Sequence, residues 1–153
     1  MFRCLPFLAL LATASTAAME VLNERAVAVT AQRTGVPPDR VRQAAGTGCD
    51  SDMSSMNLCA EYQFIAADQR MNDVYKRLLI TYSTRTTSLL VKSQRRWVSY
   101  RDGACAFESS GLEGGTAYGY SQLQCLRDKT TARVNELEIY ENCTQGGCPG
   151  PRR

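Results

Sequence analysis

Seven polar and aromatic residues fall in two segments, and the first six of them are spaced so that they would lie on the facing sides of two helices. They are Asp68, Asn72 and Tyr75 in a first segment, and Gln94, Trp97, Arg101 and Asp102 in a second. Residues three and four apart are neighbours on a helix surface, and an unpaired buried polar group costs about 1–3 kcal/mol. The spacing therefore indicates either a hydrogen-bond network between helices, in which Arg101 pairs with Asp68, or a surface that contacts a partner directly.

The composition excludes several kinds of catalytic site. The chain contains no histidine among its 153 residues, which excludes Ser-His-Asp and Cys-His activation and the HExxH zinc site. Two carboxylate pairs exist, Glu136 with Glu138 and Asp50 with Asp52. Residues two apart point to different sides of a helix, so we interpret Glu136 and Glu138 as solvated surface charge. The chain is not expected to be an enzyme, and no cofactor or metal is predicted.

The cysteines could form disulfides or bind zinc. Seven are present, and six follow the first eighteen residues. They are Cys49, Cys59, Cys105, Cys125, Cys143 and Cys148. An even number in an exported chain is typical of disulfides, and six cysteines permit 15 connectivities. Sequence alone does not choose among these connectivities, and we favour the sequence-local pairs 49–59, 105–125 and 143–148. The competing interpretation is a four-thiolate zinc site, over which we favour disulfides because paired C-x2-C motifs are missing.

Residues 1–18 are predicted to be a signal peptide. Arg3 precedes an apolar stretch from Leu5 to Ala12, and small residues follow up to Ala18. Cys4 precedes the apolar stretch and is badly placed for lipid modification. We therefore expect a periplasmic or secreted protein with no membrane anchor after signal cleavage. The formal charge is +3 and the Arg residues form no continuous block, so nucleic-acid binding is not predicted.

The elements that must position the seven residues are helices. Apolar residues recur at steps of three and four from Met56 to Tyr82, from Thr87 to Phe107 and from Ser121 to Tyr140. Shorter helices are predicted within Val21 to Gln32 and within Arg40 to Ala45. No segment alternates as a strand would. The predicted fold class is all-α, a small disulfide-stapled domain built on a long helix pair plus a third helix.

Two glycine-rich segments are predicted to be non-helical. One covers residues 109–119, SSGLEGGTAYG, and the other covers residues 144–153 of the Cys/Gly/Pro-rich tail (142–153), which we expect to be loose beyond Cys148. The resulting organisation is a signal peptide at 1–18, short helices or a linker at 19–48, a helical domain at 49–141 and the tail.

The two motif segments resemble a known family. Residues 68–75, DQRMNDVY, are similar to its D-x-x-[LM]-N-x-x-Y element, and residues 93–105, SQRRWVSYRDGAC, to its A-Q-R-x-W-x-x-[YF]-R-D-x-x-C element. The family order continues through 114–116, Cys125, Thr130, Arg133 and Leu137. This is the LprI-type lysozyme inhibitor family. The chain differs in having Ser93 for Ala, no lipoprotein cysteine after the signal, and Cys143 and Cys148 outside the pattern.

The resemblance implies an exported helical domain associated with lysozyme inhibition. The seven motif residues are interpreted as structural. A Cys105–Cys125 disulfide would close the glycine-rich segment and constrain the unfolded chain by around 3 kcal/mol. The candidate partner-binding residues are Ser110, Glu113, Tyr118 and Tyr120, which could fill a cleft in which a glycosidase holds two carboxylates. The alternative is that the segment only connects two helices.

The net charge of the chain is an observation against the lysozyme-inhibitor hypothesis. A basic lysozyme would be bound faster by an acidic surface, and this chain is slightly basic. A local acidic patch, from Asp50, Asp52 and Glu61 or from Glu108 and Glu113, would have to compensate. The alternative function is a periplasmic interaction module that binds another envelope protein or a cell-wall glycan without inhibiting lysozyme.

Overall fold

A computed structural model describes residues 22–46, 49, 52–144 and 146–153. The predicted signal peptide and Asp50 lie outside the described residues. The helices are α1 (Glu24–Thr34), α2 (Pro38–Gly46), α3 (Met53–Thr81), α4 (Thr84–Ser109) and α5 (Tyr118–Asn142), with a 3-10 turn at Ser110–Leu112 between the last two. No strand occurs in this part of the chain. The all-α prediction is confirmed, and each predicted helix is present with ends shifted by a few residues.

Local sequence signals account for where the helices begin and end. The Asn23 side chain accepts a 3.1 Å hydrogen bond from the Ala26 amide at the start of α1, and Gly35 ends that helix with a φ of +71°. The Asp52 side chain caps α3 by accepting from the amides of Ser54 and Ser55 at 2.9 and 3.0 Å. These caps satisfy amides that have no partner inside the helix.

Helix α5 packs along α3, and α4 packs mainly against α5. The side chains of Gln63, Arg70 and Arg77 on α3 pair in the same order with Arg127, Glu138 and Glu141 on α5. Helices α3 and α5 therefore run parallel to each other. Helix α4, which connects them in sequence, runs antiparallel to both. The shorter α1 and α2 lie against α3.

The core lies between α3 and α5. Its buried members are Met71, Val74, Leu78, Tyr82, Val134 and Leu137, with Tyr75, Leu90, Trp97 and Tyr140 packed around them. The Tyr82 hydroxyl donates a 2.7 Å hydrogen bond to the carbonyl oxygen of Tyr140. The hydroxyl is thereby satisfied where its ring is buried. No described helix is long and apolar enough to cross a membrane.

The glycine-rich segment is shorter than the sequence predicted. Ser109 is the last residue of α4, and its hydroxyl donates to the Cys105 carbonyl oxygen at 2.7 Å. Tyr118, Gly119 and Tyr120 belong to the first turn of α5. The irregular stretch between the 3-10 turn and α5 is only 113–117. The expectation of a non-helical segment over 109–119 was wrong at both ends. At the first end the Ser109 hydroxyl bonds back to the preceding turn of α4, and at the second end Gly119 lies in the first turn of α5, outside the helix interior where glycine is most unfavourable.

The C-terminal tail is not loose. The Arg153 amide donates to the Thr81 carbonyl at 2.9 Å, and the Ser83 amide donates to the Pro151 carbonyl at 3.0 Å. The Arg152 guanidinium donates to the carbonyls of Glu141 and Cys143 at 2.7 and 2.8 Å. These bonds hold the tail against the α3–α4 junction, which corrects the prediction made from its Gly and Pro content.

Candidate functional site

The structure joins the cysteines in three sequence-local disulfides. Cys49 pairs with Cys59, Cys105 with Cys125, and Cys143 with Cys148, with Cα–Cα distances of 5.5, 5.6 and 5.7 Å. Their sulfurs are therefore not free thiolates, which excludes the zinc alternative for these residues. Elsewhere in the described ranges, no group of three or more His, Cys, Asp or Glu side chains is placed to hold a metal.

Arg101 is at the centre of the motif residues and is only 7% exposed. One Nη donates to Asp68 Oδ1 at 3.1 Å and to Thr130 Oγ1 at 3.2 Å, and Nε donates to Asp102 Oδ1 at 2.9 Å. Its guanidinium carbon also lies 5.3 Å from the centre of the Phe64 ring. A single α4 cation is thus bonded to side chains of both α3 and α5.

A second buried arginine, Arg133 on α5, contacts two residues of the same motif, Gln94 and Trp97. It is 6% exposed, and its Nε donates to Gln94 Oε1 at 3.1 Å while an Nη donates to Glu136 Oε2 at 2.7 Å. The guanidinium carbons of Arg101 and Arg133 lie 5.4 and 5.7 Å from the Trp97 ring. We call Arg101, Trp97 and Arg133 the cation–tryptophan cluster, since both cations are within reach of the ring face.

The remaining motif residues surround this cluster. The Asn72 amide donates to the Asp68 carboxylate at 2.9 Å, and the Gln94 amide contacts the sulfur of Met71 at 3.3 Å. Tyr75 packs against the core, and Asp102 is exposed. The predicted Arg101–Asp68 pair is observed. The motif side chains meet one another across α3, α4 and α5, and no nucleophile or unpaired acid lies among them.

Sequence analysis missed Arg133 and Thr130 as partners in this network. Both lie on the α5 stripe that carries Val134 and Leu137, and all four are buried. An arginine on an otherwise apolar, core-facing stripe requires acceptors once it is desolvated. The core-facing position of Arg133 and Thr130 was therefore the signal in the sequence from which these two partners could have been found.

The turn that joins α4 to α5 projects from the bundle. We call residues 110–117 the tip. The Ser110 hydroxyl donates to the Phe107 carbonyl at 2.7 Å, and the Glu113 and Gly115 amides donate to the carbonyls of Ser110 and Leu112 at 3.1 and 2.9 Å. Gly114 has a φ of +80°, which favours glycine. The Cys105–Cys125 disulfide closes the base of the tip, so its backbone is fixed by hydrogen bonds and a covalent link.

The four candidate binding residues differ in how they are displayed. Ser110 and Glu113 are exposed, and Glu113 forms no ion pair with any residue that the structure describes. Tyr118 and Tyr120 are only partly exposed, and the Tyr120 hydroxyl accepts a 2.8 Å hydrogen bond from Gln124. The tip therefore presents a carboxylate and the adjacent Leu112, while the tyrosines lie in the first turn of α5.

Two of the acids considered for an acidic patch, Glu61 and Glu108, are neutralised by neighbouring cations. Glu61 pairs with Arg33 at 2.9 Å, and Glu108 pairs with Lys129 at 2.9 Å. The hydrogen bond from Lys129 to Glu108 raises the pKa of that lysine. Glu136 and Glu138 also take part in separate ion pairs, with Arg133 and Arg70.

Two clefts have no lining residue from the tip. One, of about 630 Å³, is bordered by α2 and the start of α3 and has polar lining residues that include Arg40, Asn57 and Glu61. The other, of about 380 Å³, is an apolar groove between the start of α4 and the tail, lined by Leu78, Leu90 and other residues. Arg133 is the cluster residue that borders the second groove.

Comparison with known proteins gives a family and two relatives. A sequence model of the family described as "Lysozyme inhibitor LprI" matches residues 47–137. The uncharacterized protein R02472 of Rhizobium meliloti (strain 1021) is 29% identical over 105 residues, covering 59% of this chain and 76% of the relative. The uncharacterized protein YecT of Escherichia coli (strain K12) is 25% identical over 108 residues, covering 61% and 67%. No solved structure matches.

Proposed function

The chain belongs to the lysozyme inhibitor LprI family, and from this premise we propose that it is an exported inhibitor that binds a lysozyme through its tip. The family and the three disulfides indicate an extracytoplasmic protein. We extend this to a periplasmic or secreted protein that reaches its location through the signal peptide expected at residues 1–18.

The observation that carries the proposal is the tip with its uncompensated carboxylate. Glu113 is exposed at a turn whose backbone is fixed by hydrogen bonds and by the Cys105–Cys125 disulfide. A loop that is already ordered loses little conformational entropy on binding. Since Glu113 has no described cation beside it, its charge remains available to a basic partner.

A lysozyme would be blocked by protein–protein contact, with no chemical step. Leu112 and Glu113 would enter the substrate cleft, where an apolar side chain is desolvated and the carboxylate meets cationic groups at the cleft rim. Ser110 adds an exposed hydroxyl, and Tyr118 and Tyr120 support the tip from the first turn of α5. The buried motif residues would then act by fixing the helices, not by touching the lysozyme.

The test is a lysis assay in which lysozymes of several classes act on bacterial walls. The protein, secreted by a bacterial host and purified with its disulfides intact, would be added in increasing amounts. We expect saturable inhibition of at least one class. The double variant Leu112→Ser/Glu113→Lys should weaken it at least tenfold.

A matched control makes the same kinds of change elsewhere. The double variant Ile80→Ser/Asp39→Lys alters one exposed apolar residue and one exposed acid away from the tip, and it should inhibit as the parent does. Inhibition that survives the tip variant would move the contact to another surface. No inhibition of any class at micromolar excess would contradict the function itself and favour an interaction module for another envelope protein or a glycan.

A further inference from the structure

We propose that the outward face of α4 binds the surface of a bilayer that contains anionic phospholipid. The residues concerned form one line along the helix, which we call the basic ridge. They are Arg85, Leu89, Lys92, Arg96, Tyr100 and Phe107. At 100° per residue all six fall within about 80° of one another, and they extend over about 33 Å of helix.

The charge of the ridge is uncompensated. Between Thr84 and Arg101 the helix contains no acidic residue. Arg85, Lys92 and Arg96 are exposed, and none forms an ion pair with another described residue. Arg95, beside the ridge, is likewise exposed and unpaired within the described ranges. The overall charge is only +3, so these cations are a local concentration of positive charge.

The same line carries large apolar side chains in water. Leu89 is 60% exposed, Tyr100 63% and Phe107 80%. The ring of Tyr100 has the Lys129 ammonium 5.7 Å from its centre, and that ammonium is already paired with Glu108. Cations alternating with Leu, Tyr and Phe on one helix face are typical of helices that lie in a membrane interface.

The shape of the ridge favours a lipid surface over a glycan polymer. Of the ridge residues only Leu89 borders one of the two clefts, at the edge of the apolar groove under the tail, and the other five line neither cleft. A convex helix face offers no concavity in which to enclose a sugar ring. A bilayer needs none, because its headgroups and acyl chains adjust to the side chains that enter them.

In the bound state α4 would lie parallel to the bilayer plane. Arg85, Lys92 and Arg96 would reach lipid phosphates, while Leu89 and Phe107 would enter the boundary between headgroups and acyl chains. Each cation near an anionic leaflet strengthens binding by about fivefold. The association would be peripheral and reversible, and the ridge and the tip share no residue.

The experiment is co-sedimentation with vesicles of phosphatidylcholine alone or with 30% phosphatidylglycerol. The protein would be secreted from a bacterial host, with its N-terminus verified by mass spectrometry. We expect binding to the anionic vesicles, little binding to the neutral ones, and a strong reduction at 0.5 M salt. Lys92→Glu/Arg96→Glu should lower the partition coefficient by about thirtyfold or more.

Two control variants match the changes made on the ridge. Arg40→Glu/Arg153→Glu alters net charge equally at exposed positions off the ridge, and it should bind within about threefold of the parent. Leu89→Ser/Phe107→Ser should lower binding about tenfold, whereas Ile80→Ser/Ile139→Ser, at similarly exposed sites off the ridge, should not. All four double variants carry their substitutions at exposed positions, and thermal unfolding of each would verify that it is folded.

Equal binding to neutral and anionic vesicles, or equal losses in the ridge and control variants, would overturn the proposal. Failure to bind vesicles together with retention on an anionic polysaccharide resin, abolished by Lys92→Glu/Arg96→Glu, would assign the ridge to a glycan and also overturn it. Normal lysozyme inhibition by the ridge variants would show that the two surfaces act separately.

Discussion

The two faces of α4 use arginine in opposite ways. On the inner face, Arg101 is buried and bonded to Asp68, Asp102 and Thr130. On the outer face, Arg96 is exposed and forms no ion pair in the described part of the chain. Both residues belong to the same segment, only five positions apart.

Desolvation explains the difference. A buried guanidinium that lost its partners would have a penalty of several kcal/mol, so its surroundings must supply acceptors. A cation in water has no such requirement, because the solvent satisfies it. The inner face is therefore fixed by folding, while the outer face is left available for a partner. Substitutions on the two faces should separate stability from binding.

The largest difference in stability should be the one between the variants Arg101→Ala and Arg96→Ala. Loss of Arg101 leaves Asp68 without its interhelical cation and Thr130 without a donor, so we expect the free energy of unfolding to fall by about 3 kcal/mol. Arg96→Ala should change it by less than about 0.5 kcal/mol. Urea denaturation of both variants measures the difference.

A double-mutant cycle with Asp68→Ala locates the origin of that loss. Strong coupling, of about 1–2 kcal/mol, is expected between Arg101 and Asp68, and none between Arg96 and Asp68. Similar losses of unfolding free energy in Arg101→Ala and Arg96→Ala would contradict the difference between the two faces, since the inner face would then be no more constrained than the outer one.

The second test removes the other buried cation. Arg133→Ala takes a donor from Gln94 and a guanidinium from beside Trp97, and it should lower the free energy of unfolding by about 2 kcal/mol. Trp97 is the single tryptophan of the chain, so its fluorescence reports on this environment directly. The emission maximum should shift in Arg133→Ala and stay unchanged in Lys92→Ala. An unshifted maximum in Arg133→Ala would contradict the contact.

The helices and the inner network were largely predictable from sequence. Apolar steps of three and four fixed the three long helices, and the spacing of Asp68 and Arg101 indicated the pair that the structure shows. The partners on α5 were not found, since hydrogen bonding between helices depends on their relative rotation. Periodicity within one helix does not contain that information.

The tail and the basic ridge show a different limit. Pro and Gly in the tail suggested looseness, but backbone bonds from Arg153 and to Pro151 hold it in place. The cations of α4 are not consecutive in sequence, so a search for charge blocks does not detect them. Only helical geometry brings Arg85, Lys92 and Arg96 onto one line.

A third, smaller test concerns the Gln94 amide, which accepts a hydrogen bond from one of the two buried cations. Gln94→Met keeps the side-chain volume but removes the oxygen that accepts from Arg133, whose remaining partner is Glu136. We expect a loss of about 1 kcal/mol in the free energy of unfolding. Arg95→Met, at the adjacent exposed position, should have no measurable effect. Equal behaviour of the two variants would show that Gln94 is not needed by Arg133.

The smallest effect should come from an ion pair whose two side chains are both partly exposed. Arg77 on α3 bonds to both carboxylate oxygens of Glu141 on α5, and this hydrogen bonding lowers the pKa of Glu141 below its ordinary value of 4.5. A lowered pKa in the folded state means that the pair stabilises the protein above the unfolded pKa and is lost as the pH falls through the folded one.

Glu141→Gln should therefore lower the Tm by about 1–2 °C at pH 7, with the difference from the parent vanishing as the pH falls well below 4.5. Thermal unfolding of both proteins across this range measures the effect. A difference that persisted in acid would mean that Glu141 stabilises the helices without its charge, for example by packing.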